Sequence, residues 1–346
     1  MSNPQPAAHW KALRMLLLAN LCWGLSFPTM KALGAAQQAE MPGQSSWFFA
    51  ALCITYRFGI AAAVMLFCCR RTLRNLSNSE ISQGVGLGLF AAGGLVFQMD
   101  GLSHTAASTS AFLTQCYCVI IPAWVAIQER RFPSKLTILS CILVVAGVAV
   151  LSELHFTKLS LGRGEIETIV ASIIFTGQIL WLQRPCFSNN NVLHFTLVMF
   201  LTIAVACAPI AVLTSHGASD LVRAYASPAS SILLAILIVF CTFSSYLLMN
   251  RWQPHLTAVQ AGLIYCVEPL FASVFSLFLP AWFSTLANIH YANETVTASM
   301  LVGGGLITAA NILIQLEAPP EVRNSTVIAT AAVPEVSREC PQNPRC

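Results

Sequence analysis

The chain has 346 residues, of which 56% are apolar and only 9% charged, with a net charge of +4. A soluble domain carries about 25% charged residues, so this chain lacks the polar groups to cover a water-facing surface. Its hydrophobicity also excludes disorder over most of its length. The basic residues are dispersed rather than striped, which argues against nucleic acid as a partner.

A membrane helix needs about 20 mostly apolar residues. Such runs fall at 12–34, 47–69, 81–99, 105–127, 135–152, 166–183, 192–214, 230–250, 256–279 and 296–316. The expected fold is therefore an all-α membrane protein with ten transmembrane helices in a lipid bilayer. The first run lacks a secretory n-region with a small-residue cleavage site, so it reads as a retained helix. Residues 1–11 form an N-terminal stretch and 153–165 a connecting loop. From 317 to 346 helical periodicity is lost, and a disordered polar tail is expected.

Short loops let charge bias set orientation. With the N-terminus cytoplasmic, that side holds Lys11, Arg14, Arg70, Arg71, Arg74, Arg130, Arg131, Lys135, Arg184 and Arg251. The far side holds Lys31, Lys158, Arg163 and Arg223. An even span count then places both termini inside. Most cysteines lie in apolar runs, where Cys acts as a small hydrophobe. No paired CxxC at zinc spacing and no HExxH occurs, so neither a metal nor a cofactor is expected.

Five spans separate "LLANLCWG" (17–24) from "IVASIIFT" (169–176), which carry an aromatic at the same place, Trp23 and Phe175. Five also separate "TSAFLTQCYCVIIP" (109–122) from "VQAGLIYCVEP" (259–269). Five is odd, so the second half would enter the membrane inverted. Such a fold has two inverted five-helix repeats, here 12–152 and 166–316, with a site where they meet.

Four stretches carry a resemblance. "LCWGLSFPTMKAL" (21–33) has Trp23, Gly24, Ser26, Phe27 and a closing Lys31. "YRFGIAAAVML" (56–66) opens an alanine-rich run with Arg-Phe. "VFQMDGLSHTAASTSAFLTQCYCVIIPAWVAIQERRFPS" (96–134) is the most extended match, and "HLTAVQAGLIYCVEPLFASVFS" (255–276) is its second-half counterpart. Together they resemble the drug/metabolite transporter superfamily, in its EamA-type branch. The resemblance implies ten helices in two inverted halves and transport of small organic metabolites, often amino acids and often outward. The chain departs from the pattern at Asp100, where the family has an apolar residue, and in a longer loop at 280–294.

The residues that could line a site follow from cost. Arg57 lies near mid-depth, where a charge costs at least about 2.5–3.5 kcal/mol, so it needs a partner or a wet cavity. It reads either as an anchor for a substrate carboxylate or as a structural Arg bonding helix-end carbonyls. Glu268 lies a dozen residues into the ninth span, beside Pro269. A carboxyl stripped of water there would suit proton exchange, which makes protons the coupling partner to test; a structural glutamate is the alternative. Among the aromatic and amide side chains Trp23, Gln98, Gln115, Tyr117, Gln178, Trp181, Tyr246 and Tyr265, the expected cavity residues are Trp23, Gln98, Gln115, Tyr117 and Tyr265. No catalytic residue is expected. A membrane-embedded enzyme or a non-transporting receptor are the other classes, and neither has a reactive constellation in its favour. The expected function is a secondary transporter of the cytoplasmic membrane.

Overall fold

The computed structural model describes residues 6–104, 110, 113–151 and 162–316. Among them every regular element is helical. The chain runs through α1 (Pro6–Glu40), α2 (Ser46–Cys69), α3 (Asn78–His104), α4 (Tyr117–Glu129), α5 (Lys135–Leu151), α6 (Arg163–Leu182) and α7 (Val192–Thr214). A short α8 (Ala218–Arg223) precedes α9 (Pro228–Ile238), a π-helical turn (Val239–Ser244) and α10 (Ser245–Trp252). Then follow α11 (Ala258–Tyr265), α12 (Glu268–Ser276), α13 (Leu279–Ala287) and α14 (Ala298–Leu316). Among the described residues, seven helical segments are long and apolar enough to cross a membrane, and the apolar helices at α4, α5 and α14 are shorter. Part of the fourth expected span, 105–109 and 111–112, lies outside the described residues, as does the expected tail at 317–346.

Local sequence sets the helix ends. Ser45 caps α2 by accepting from the Phe48 amide, and Asn191 caps α7 through the Leu193 amide. Thr257 and Gln260 form a reciprocal capping box at α11. Two expected spans are not continuous. The ninth breaks at Cys266–Val267, where the amides bond three residues back, to Leu263 and Ile264. Pro269, in the first turn of α12, has no N–H to carry the α-helical ladder through the break. The fourth span breaks in the same way at Gln115–Cys116, with the Cys116 amide on the Leu113 carbonyl. Farther along, Pro122 cannot donate to Cys118, and the Cys141 thiol donates to that carbonyl at 3.2 Å.

Packing pairs α2 with α7, α5 with α14, α3 with both α6 and α7, and α1 with α9, α10 and α12. Close approach depends on missing side chains. A Cβ at Gly84 would stand 2.6 Å from the Phe195 carbonyl oxygen, and one at Gly88 2.5 Å from Thr202 Cβ. Those two positions let α3 lie against α7. Leu89, Ile142, Val205 and Leu301 face outward and exposed, as lipid-facing positions do.

The loop at 280–294 is not plain coil. Its α13 buries Phe283 against Met30, Leu33 and Leu233, and the Ala281 amide donates to Asn293 Oδ1 at 2.8 Å. Lys31 stands over the Tyr291 ring, 5.5 Å from its centre.

Candidate functional site

A cavity lies between the two halves of the chain. It is walled by Trp23, Ser26, Phe27 and Met30 of α1, Arg57 of α2, and Leu95 and Gln98 of α3. Thr114, Tyr117, Phe175, Gln178, Ile179, Tyr246, Met249, Tyr265 and Glu268 complete it. The cavity has a volume of about 90 Å³. That narrowness suits a small ligand.

The aromatic wall is rigid. Trp23 meets Tyr246 and Tyr265 edge-on, each at 5.5 Å between ring centres. Tyr246 also packs on Phe58, and the Tyr265 hydroxyl donates to Gln253 Oε1 at 2.8 Å. Gln253 is held in turn by donating to the Ile179 carbonyl.

Arg57 is 2% exposed. Its Nε donates to Thr242 Oγ1 at 3.0 Å, its Nη2 to the Cys241 carbonyl at 3.3 Å, and its Nη1 to Met30 Sδ at 3.5 Å. All three partners are neutral. Two belong to the π-helical turn, whose extra residue per turn brings the Cys241 carbonyl into reach. A guanidinium has five N–H groups, so its bonding capacity is not exhausted.

Glu268 begins α12, directly after the break, and faces the cavity. Arg57 and Glu268 form no ion pair with each other within 4.0 Å. The cavity holds a cation and a carboxyl that do not cancel each other.

Of the residues expected from sequence, Trp23, Arg57, Gln98, Tyr117, Tyr265 and Glu268 share this cavity. Gln115 does not line it. It lies in the turn between helical segments and is 2% exposed. Gln98 donates to Thr114 Oγ1 at 3.3 Å. Sequence reasoning passed over Gln178 and Tyr246 as site residues, although the repeat contained a signal for the first. Phe175 aligns with Trp23, and Gln178 follows it by three residues, hence on the same helix face.

Two polar clusters lie apart from the cavity. Asp100, fully buried, accepts from Ser46 Oγ at 2.6 Å and from Arg163 Nη2 at 2.5 Å. Glu80 accepts from the Ser77 and Asn191 amides and stands 3.2 Å from His194 Nδ1. Each ties α3 to a neighbouring helix.

Residues 10–153 match the EamA-like transporter family. A protein of Archaeoglobus fulgidus described as an uncharacterized transporter is 25% identical over 304 residues, covering 87% of this chain and 84% of that protein. A solved crystal structure superposes with a TM-score of 0.65 at 14% identity, over 89% of this chain and 97% of the other, which speaks for the fold alone. The chain is a multi-pass helical membrane protein, and its cavity is formed by both the matched segment and the residues that follow it.

Proposed function

We propose that this chain is an EamA-type secondary transporter that carries a small organic metabolite, an amino acid or similar, across the cytoplasmic membrane by alternating access. The observation that carries the reading is that Arg57 and Glu268 share one aromatic-walled cavity and neither has an ion-pair partner among the described residues. A buried charge left without a counter-charge is costly. A carried carboxylate would offset that cost at Arg57, where the guanidinium fork suits it. Glu268 would exchange the coupling proton. Export is the direction that the family resemblance suggests.

The fold reading is ten spans in two inverted repeats, 12–152 and 166–316, with both termini cytoplasmic. Its support is an exchange pattern in the packing. α3 packs on α6 as α9 and α10 pack on α1, while α2 and α5 pack on their own counterparts, α7 and α14. Both counterpart spans, the fourth and the ninth, are broken beside the cavity, and broken helices at the meeting of two halves suit a midplane site.

The test is flux. Full-length protein in liposomes should take up a labelled pool of the twenty protein amino acids and accumulate it under an imposed pH gradient. Glu268→Gln should keep exchange of substrate for substrate and lose gradient-driven accumulation. A protein that moves none of the pool contradicts the substrate class, and full accumulation by Glu268→Gln returns that residue to a packing role.

A further inference from the structure

We propose that Gln178 is a specificity-determining residue of this cavity, its side-chain amide donating to a hydrogen-bond acceptor on the carried molecule. The inference rests on the reading of the cavity as the transport site, and it adds one element of ligand chemistry: an acceptor oxygen opposite α6.

The placement of Gln178 is fixed by its helix. α6 cannot roll, because rings and glycines interlock along its contact with α3. A Cβ at Gly94 would stand 2.4 Å from the Phe175 ring, and one at Gly177 2.4 Å from the Phe90 ring. With α6 locked at Phe175 and Gly177, Gln178 faces the cavity and is 5% exposed. Its Nε2 is buried and has no acceptor among the described residues.

That state contrasts with the neighbouring donors. Gln98 Nε2 is bonded to Thr114, and all three nitrogens of Arg57 are bonded. A buried donor without a partner is rare and unfavourable, and it calls for an explanation such as a ligand. None of the acceptors in the described wall, the Glu268 carboxyl included, bonds to it, so the acceptor comes with the ligand. An amide discriminates among neutral and anionic acceptors by direction rather than by charge. It would therefore select the placement of an oxygen on the carried molecule, where Arg57 selects for charge.

Two near-isosteric variants test this. Gln178→Met keeps the length and removes the donor; Gln178→Glu keeps the length and presents acceptors. Melting of the purified full chain is measured without ligand, and uptake of the labelled amino-acid pool is measured at low concentration in liposomes. Replacing an unpartnered buried donor by an apolar group costs no stability. Gln178→Met should thus melt at or above the parent temperature while uptake falls about tenfold, the loss of one good hydrogen bond. Gln178→Glu should lose at least as much uptake, since two acceptors would face each other.

The proposal is overturned if Gln178→Met melts more than about 2 °C lower, which assigns a structural bond. It is overturned as well if Gln178→Met takes up the pool like the parent, or if Gln178→Glu equals or exceeds it. Should the parent move none of the pool, the substrate class fails separately. Melting then decides alone: a lower temperature overturns the unpartnered-donor reading, and an unchanged or higher one supports it.

Discussion

Arg57 is held by a π-helical turn rather than by an acid, and this has a consequence at Thr242. The Thr242 hydroxyl is fully buried and accepts from Arg57 Nε. Thr242→Val keeps the shape and removes the acceptor, leaving a buried N–H unsatisfied at about 1–3 kcal/mol. We expect a lower melting temperature and weakened transport, both restored in Thr242→Ser; equal melting of Val and parent proteins would show that the bond does not hold Arg57. Little of this was legible in the sequence. Arg57 announced itself by its depth, because charge in an apolar run is conspicuous. Its partners did not, since Thr242 lies 185 positions away and a π turn leaves no mark in composition. Asp100 is a parallel case. It stood out only as a departure from the family pattern, and its partner Arg163 is 63 positions distant.

At the scale of elements, glycine positions decide which helices can touch. Gly24 of α1 has no room for a side chain: a Cβ would lie 2.6 Å from Phe271 Cβ and 2.9 Å from the Ala272 backbone nitrogen of α12. Backbone cannot swing aside, so Gly24→Ala should push α1 off the helix that begins with Glu268. The expected cost is about 1–3 kcal/mol. Gly34, in the same helix, has nothing within 4 Å, and Gly34→Ala should be neutral or stabilising by up to about 1 kcal/mol. Thermal melting of the two variants checks the contrast, and equal effects would contradict the packing account. The spans themselves were legible because long apolar runs admit few other structures. The break before Glu268 was foreshadowed by Pro269. The break at Gln115–Cys116 had no such mark. The α13 helix in the 280–294 loop was also missed, since it is short and its stabilising contacts, with Met30 and Leu33, are long-range.

At the scale of the whole molecule, the central claim is that one cavity between two halves binds the carried molecule. Orientation can be checked on Cys68, exposed at the end of α2. With cytoplasmic termini it should resist a membrane-impermeant thiol reagent applied to intact cells and react in inside-out vesicles, read on a variant lacking the other accessible cysteines; rapid labelling in intact cells would invert the topology. The central claim meets its most direct test at Arg57. Arg57→Lys keeps the charge but loses the two-pronged geometry that suits a carboxylate. The measurement is counterflow of the labelled amino-acid pool in liposomes, on an Arg57→Lys protein first shown to melt near the parent temperature. The account predicts counterflow reduced by at least about tenfold, equivalent to about 1.4 kcal/mol of lost binding. Counterflow at the parent rate from the folded variant would contradict it.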